Sequence, residues 1–212
     1  MPVSYPAQVP TSGITSLSWT NATASLISRS PFTFQGQSQN YPGAIRYAQI
    51  SVENLNREAA EDWVGFLDSL HGTKGTFLFG DPAAVKPMGA ARNSHSPTIR
   101  AANTVSKDTI TINSNITVTT LSWLRRGDWI QIGTGLDARL YKVVNSNPVG
   151  INSSGNSGNI NLWPTFRRDP VVGEAIYVEN PKGLFRRSSG VFNYSEENGC
   201  KYSLSFDCEE VI

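Results

Sequence analysis

The chain has 212 residues, of which 39% are hydrophobic and 17% charged, and its formal net charge is +1, from 18 Lys and Arg against 17 Asp and Glu. That composition supports a buried core in one large domain or two small ones and excludes disorder along the whole length. It lacks the basic excess of a nucleic-acid binder, so any contact with DNA is expected to be local or transient.

The first residues, Met1-Pro2-Val3-Ser4-Tyr5-Pro6, carry neither the basic nor the apolar stretch of a secretory signal. No apolar run approaches the roughly 20 residues that span a bilayer, so no membrane association is expected. Triplets such as Asn21-Ala22-Thr23 are then chance matches to a glycosylation acceptor. Frequent Ser, Thr, Asn and Gly between short alternating segments point to antiparallel β structure with many turns. The clearest early strand is Arg46–Glu53. Ala48, Ile50 and Val52 share one face, with Arg46 at the strand's mouth, and Tyr47, Gln49, Ser51 and Glu53 take the other, polar face.

One helix is predicted over residues 56–71. Asn56 is its N-cap, and Glu58, Glu61 and Asp62 place negative charge in its first two turns. Ala59, Trp63, Phe66, Leu67 and Leu70 form a single apolar stripe, and Gly72 sits where a left-handed capping residue belongs. Gly65 either permits close packing or simply costs the helix about 1 kcal/mol. The strand Thr76–Phe79 follows and is ended by the Gly80-Asp81-Pro82 turn.

Residues 83–97 read as a linker, and a second β set begins near Thr98. Strands are expected at Thr109–Ile112 and Ile116–Thr119, joined by the turn Asn113-Ser114-Asn115. Further strands are expected at 124–133, 139–144, 161–164 and 175–178, with a flexible loop over 145–159. Some six strands suffice for a small closed barrel or sandwich. The final alternating segment, Tyr202–Cys208, has no partner after it, and the economical topology returns it to the first sheet. The expected architecture is therefore mostly β with one α-helix. A sandwich or barrel domain made of residues 1–82 and 184–212 is interrupted by an inserted small β-barrel of residues 98–180.

Chemistry is sparse. His71 and His95 are far apart, no HxxxH or CxxC spacing occurs, and no nucleophile elbow or phosphate-cradling glycine loop is present. Glu61 and Asp62 belong to a solvated helix face, Asp128 of Arg126-Gly127-Asp128 to a turn, and Glu196-Glu197-Asn198-Gly199 to an exposed hairpin loop. Trp19, Trp63, Trp123, Trp129 and Trp163 could stack on sugars, but most fall in predicted strands or the helix stripe and are expected in the core. The pairs Arg167-Arg168 and Arg186-Arg187 are expected to face solvent or a neighbouring subunit. On one extended strand Cys200 and Cys208 would stand roughly 26 Å apart, at about 3.3 Å per residue, too far for a disulfide. They are expected as free thiols made in a reducing cytoplasm. No enzyme activity, metal or cofactor is expected.

The run from Ala59 to Pro82, with its helix Trp, its Leu70-His71-Gly72 end, the Gly75-Thr76-Phe77 strand start and the Gly80-Asp81-Pro82 turn, resembles the distal tail proteins of long-tailed bacteriophages and prophages. Further matches are 126–133 (RGDWIQIG), 139–144 (RLYKVV) and 180–186 (NPKGLFR), so the resemblance spans roughly residues 40–190. It implies a structural virion protein, assembled in the host bacterial cytoplasm. Such a protein forms a ring, typically hexameric, that joins the tail tube to the tip or baseplate. Its partners would be further copies of itself, the tail tube protein and the tail hub proteins. Trp63, Phe66, Leu70, Gly72, Gly80, Asp81 and Pro82 would be structural. Tyr47, Gln49, Ser51 and Glu53 would line a lumen for the transient passage of DNA. The competing expectations are another tail component, such as a tube or tail completion protein, and a carbohydrate-binding module that contacts the host surface.

Overall fold

The structure, a computed structural model, describes residues 4–10, 13–103, 105–197 and 201–212. It is 48% strand and 9% helix, with one α-helix and a nearly closed, barrel-like sheet of six strands. The chain opens with two long strands, β1 (Ile14–Arg29) and β2 (Gly36–Leu55), paired as an antiparallel hairpin. Next come the helix α1 (Arg57–Ser69) and β3 (Thr76–Phe79). Eight short strands follow: β4 (Thr98–Ala102), β5 (Thr109–Asn113), β6 (Thr120–Leu124), β7 (Trp129–Ile132), β8 (Arg139–Val143), β9 (Val149–Ile151), β10 (Ile160–Trp163) and β11 (Ile176–Tyr177). The chain closes with β12 (Gly183–Arg187), β13 (Asn193–Glu197) and β14 (Lys201–Glu210).

Two sheets carry the fold. The first runs β1-β2-β14-β12-β3, with β13 also paired to β14. The last strand in sequence thus lies in the middle of the first sheet, where Leu204, Phe206 and Cys208 point into the core. The second sheet runs β11-β7-β8-β10-β5-β4, and β6 pairs separately with β9. The Thr98–Ala175 bridge and the Ile176 N–H to Pro97 carbonyl bond of 2.9 Å bring its ends together. Its interior holds Ile99, Ile110, Ile112, Ile130, Tyr141 and Leu162.

The helix forms as its sequence dictates. The Asn56 side chain accepts from the Ala59 N–H at 2.9 Å, which satisfies one of the amides the first turn leaves unpaired. Trp63, Phe66, Leu67 and Leu70 are buried against the first sheet, with Ala60 deeper than Ala59. Two residues, His71 and Gly72, take left-handed backbone at the helix end, so the turn begins one residue before the glycine. Gly65 is exposed and a Cβ there would meet nothing within 4 Å, so close packing does not explain it. At the next turn a Cβ on Gly80 would lie 2.0 Å from the Pro181 carbonyl oxygen, and the Asp81 carboxylate accepts from the Ala83 N–H at 2.9 Å.

Two local expectations are corrected. Residues 116–119 are not a strand. The Ser114 N–H goes to Gly155 O and the Asn115 N–H to His95 O, so the chain leaves β5 into loops, and β5 pairs instead with β4 and β10. Residues 145–159 are not a loose loop. They contain β9, followed by a turn in which the Asn152 side chain accepts from the Ser154 and Asn156 amides. The segment 83–97 carries buried Pro87, Gly89 and Ala91 and a short 3-10 turn at Asn93–His95.

Candidate assembly surface

Three features of the first sheet stand out: a polar face, a projecting arm and a buried cationic junction. The polar face is built in cross-strand rows. Thr20, Tyr47 and Glu209 form one row, Ser18, Gln49 and Asp207 the next, and Ser16, Ser51 and Ser205 a third. Tyr47, Gln49 and Glu53 are exposed and Ser51 is half-buried, all on the side opposite the core. Arg186 continues the first row and is paired with Glu209 at 2.8 Å, while Glu53 and Asp207 have no ion pair among the described residues. The face is therefore hydroxyl-rich, and Glu53 and Asp207 stand on it as unpaired carboxylates, with Lys201 beside Glu53.

The arm is the part of the β1–β2 hairpin beyond the Thr23–Ala44 rung. There β2 has lost its β14 neighbour, and the two strands pair only with each other, from Ser25–Asn40 to Arg29–Gly36. At about 3.3 Å per residue it projects roughly 25 Å. Its side chains are unusually apolar for an exposed element: Leu26 is 57% exposed, Ile27 63%, Phe32 91% and Phe34 79%. A two-stranded ribbon is marginally stable alone in water, and such side chains gain by being covered. Among the described residues β1 also leaves its outer edge unpaired. An unpaired edge offers backbone donors and acceptors to another chain.

The sequence pattern missed the arm. Its strands, SLISR at 25–29 and GQSQN at 36–40, mix hydroxyl and amide side chains with an adjacent Leu26-Ile27 pair and show no period-2 apolar alternation, because neither face packs on a core. The signal present was the pair Phe32 and Phe34 around a turn beginning at Pro31.

At the base of the arm the two sheets meet. Arg46, expected at a strand mouth, is fully buried. Its guanidinium lies 4.6 Å from the Trp129 ring centroid and 5.0 Å from that of Trp163. Its Nη1 donates to Leu140 O at 3.0 Å and its Nε to the Asn21 side chain at 3.3 Å. Nearby, Arg167 and Glu210 form a buried ion pair of 3.2 Å. Burial brings the Arg46 guanidinium down to about 10, against the opposing pull of the Glu210 carboxylate. Burial likewise raises the Tyr141 phenol.

Of the basic pairs, Arg186 faces solvent as expected, Arg167 and Arg168 are half-buried, and Arg187 is buried. Arg167 is tied to Glu210, Arg168 to Glu174 and Arg186 to Glu209, and Arg187 is buried with its guanidinium 4.9 Å from the Phe192 ring. Local sequence offered them only as charges, and the carboxylates that hold Arg167 and Arg186 come from a strand more than 20 residues away.

The remaining candidates are not brought together. His71 is exposed at the helix end, whereas His95 Nδ1 accepts from the Arg92 N–H at 3.2 Å. Glu61 and Asp62 face solvent on α1, and Glu196 is exposed on β13. Asp128 is buried and accepts from the Met88, Gly89 and Arg125 amides. Trp63, Trp123 and Trp129 are buried and Trp19 and Trp163 half-buried, so the tryptophans pack rather than form an exposed platform. Cys208 is a free, buried thiol, whereas Cys200 and the Asn198-Gly199 turn lie outside the described residues. Among the described residues no group of three His, Cys, Asp or Glu is placed to hold a metal ion. No helix is long and apolar enough to cross a membrane. No model of a known protein family matches the chain, and no curated protein matches its sequence.

Proposed function

We propose that the chain is a structural subunit of a bacteriophage tail, which closes with copies of itself into a ring between the tail tube and the tail tip or baseplate. The observation that carries this reading is the apolar arm. A two-stranded projection with Phe32, Phe34, Leu26 and Ile27 exposed is an element waiting for a neighbour, and a second copy supplies one at every position of a ring. Cyclic closure then buries each arm and leaves none over. The unpaired β1 edge supports the same contact, and the resemblance of the 59–82 run supplies the tail and the position within it.

In such a ring the rows containing Tyr47, Gln49, Ser51 and Glu53 face the lumen. Unpaired carboxylates repel a phosphate backbone and hydroxyls offer it only uncharged contacts, so DNA slides past without being held. The partners in this reading are other copies of the chain, the tail tube protein and the hub proteins of the tip. Its place is the virion tail, after assembly in the bacterial cytoplasm.

Sedimentation and electron microscopy of the purified protein test the reading. Wild type is expected to form closed rings, and the double substitution Phe32→Ser, Phe34→Ser to give a folded monomer. A wild-type chain that stays monomeric at all concentrations, alone and with tail tube protein, overturns it.

A further inference from the structure

The direction in which the arm leaves the body is not set by its own sheet. β14 supports β2 only as far as the Glu209–Tyr47 rung, so the sheet stops guiding the ribbon three residues short of the arm. One residue further along, at Arg46, the second sheet takes over. Trp129 of β7 and Trp163 of β10 both pair with Lys142 on β8, so the two rings flank one row on the outer surface of the barrel. The Arg46 guanidinium lies over both rings, and its Nη1 is bonded to Leu140 O on β8. Its Nε holds Asn21, the residue opposite it on β1, so both strands of the ribbon are gripped at once. Beyond the grip, the Thr165 hydroxyl donates to Pro42 O at 3.3 Å, a second tie from the barrel to the arm's base.

The chemistry of this junction is costly. Arg46 Nη2, Arg167 Nε, Glu210 Oε1 and Trp19 Nε1 are all buried without a hydrogen-bond partner. Apolar side chains of similar volume would fill the same space without that penalty. What they would lack is direction: a planar guanidinium between two rings, with its in-plane donors fixed on two strands, admits one orientation.

We infer that Arg46 is a positioning residue through which the barrel of β4, β5, β7, β8, β10 and β11 sets the angle of the β1–β2 arm. The inference rests on the reading of the arm as the ring contact, because an arm held at one angle is what lets each copy meet the next at the same rotation. The barrel is then a brace for assembly, whatever its outer surface touches.

The test measures the angle itself. Spin labels placed by Ser28→Cys on the arm and Ser153→Cys in the turn after β9, which the Asn152 side chain holds against the barrel's end, report one intramolecular distance in a Cys200→Ser background, while Cys208 stays buried and unlabelled. Adding Phe32→Ser and Phe34→Ser keeps the molecule monomeric, so the outcome does not depend on whether rings form. A narrow distance distribution is expected with Arg46 in place, and one at least twofold wider with Arg46→Met, while the circular dichroism spectrum is unchanged and the melting temperature is held or raised. Arg46→Lys, which keeps the charge but not the fork, is expected to widen it as well. An Arg46→Met distribution as narrow as wild type overturns the inference. Should that variant not fold, Trp163→Ala at the half-buried ring decides by the same measure: widening supports the inference and an unchanged width overturns it. In the assembling background, Arg46→Met is expected to replace uniform rings with open or irregular oligomers.

Discussion

Asp128 Oδ1 accepts a hydrogen bond from the Met88 amide at 2.7 Å, across 40 residues of sequence. Its Oδ2 accepts from the Arg125 amide at 2.7 Å, so one buried carboxylate ties the segment after the Gly80-Asp81-Pro82 turn to the connection between β6 and β7. The Asp128 carboxylate is therefore satisfied inside the fold and is not presented at the surface. Removing the carboxylate leaves buried amides unpaired. Asp128→Ala is expected to destabilise the fold by about 2–3 kcal/mol in thermal or denaturant melts. A change within error would show that water replaces the carboxylate at no cost.

The helix gives two opposite expectations from neighbouring positions. Trp63 is fully buried, with the Phe66 and Phe206 rings each 6.0 Å away. Trp63→Ala should cost about 3–5 kcal/mol, the usual loss for emptying a large aromatic site. Gly65→Ala, where a Cβ meets open space on an exposed helical surface, should stabilise by up to about 1 kcal/mol through helix propensity alone. Melting of the two variants in parallel separates packing from propensity.

Cys208 donates to Ala48 O at 3.4 Å inside the first core, and burial pushes its thiol up from 9.0 to about 12. The sign follows from which form is reactive. The thiolate attacks alkylating reagents, and a raised pKa keeps the thiol protonated through neutral and mildly alkaline solution. In a Cys200→Ser variant, mass spectrometry should find Cys208 unmodified by iodoacetamide at pH 8 in the native state and fully modified in denaturant. Rapid native labelling would mean that β14 opens readily.

The helix and β3 were legible because their information is local. Asn56 and the Trp63–Leu70 stripe identify one amphipathic element whatever it packs against, and the Thr76–Phe79 run between glycines leaves little choice. The strand at Tyr202–Cys208 was legible for the same reason, since its alternation separates Leu204 and Phe206 from Ser203 and Ser205. Arg46 was not, because its burial depends on two tryptophans that lie 83 and 117 positions away only by virtue of the fold. The arm hid behind Ser, Gln and Asn, with its apolar residues out of period-2 alternation. The Ile116–Thr119 alternation misled because period-2 spacing reports what a strand could bury, not whether a partner strand is free to pair with it.

The two sheets should separate unequally. Asn180 N–H is bonded to Val85 O at 2.7 Å, so the ends of the intervening region meet and a short linker can replace it. Residues 86–181, expressed alone, should melt cooperatively around the core of Ile99, Ile110, Ile130 and Leu162. The remnant without residues 98–180 loses Trp129 and Leu140 from its own core, and strands Arg46 and Glu210 without Leu140 O and Arg167. It should therefore melt cooperatively only when Arg46 and Glu210 are replaced by leucine, because unpaired buried charges are costly. A bare remnant that melts cooperatively would show that the first core tolerates the loss.

The position of β14 has a consequence in time. A chain leaves the ribosome from its N-terminus at about 5–20 residues per second, and each unit folds when its last strand emerges. The barrel has all its strands once residue 177 is out, but the first sheet must wait for its middle strand, which is the last to be made. Until then β2 shows an open edge on the side β14 will fill, and Ile50 and Val52 lack the neighbours they will have in the finished core. In that interval a nascent chain exposes its apolar arm and its unfinished sheet together, close to other nascent copies. The arm is made first and the barrel that braces it second, so the brace is complete before β14 arrives to close the first sheet.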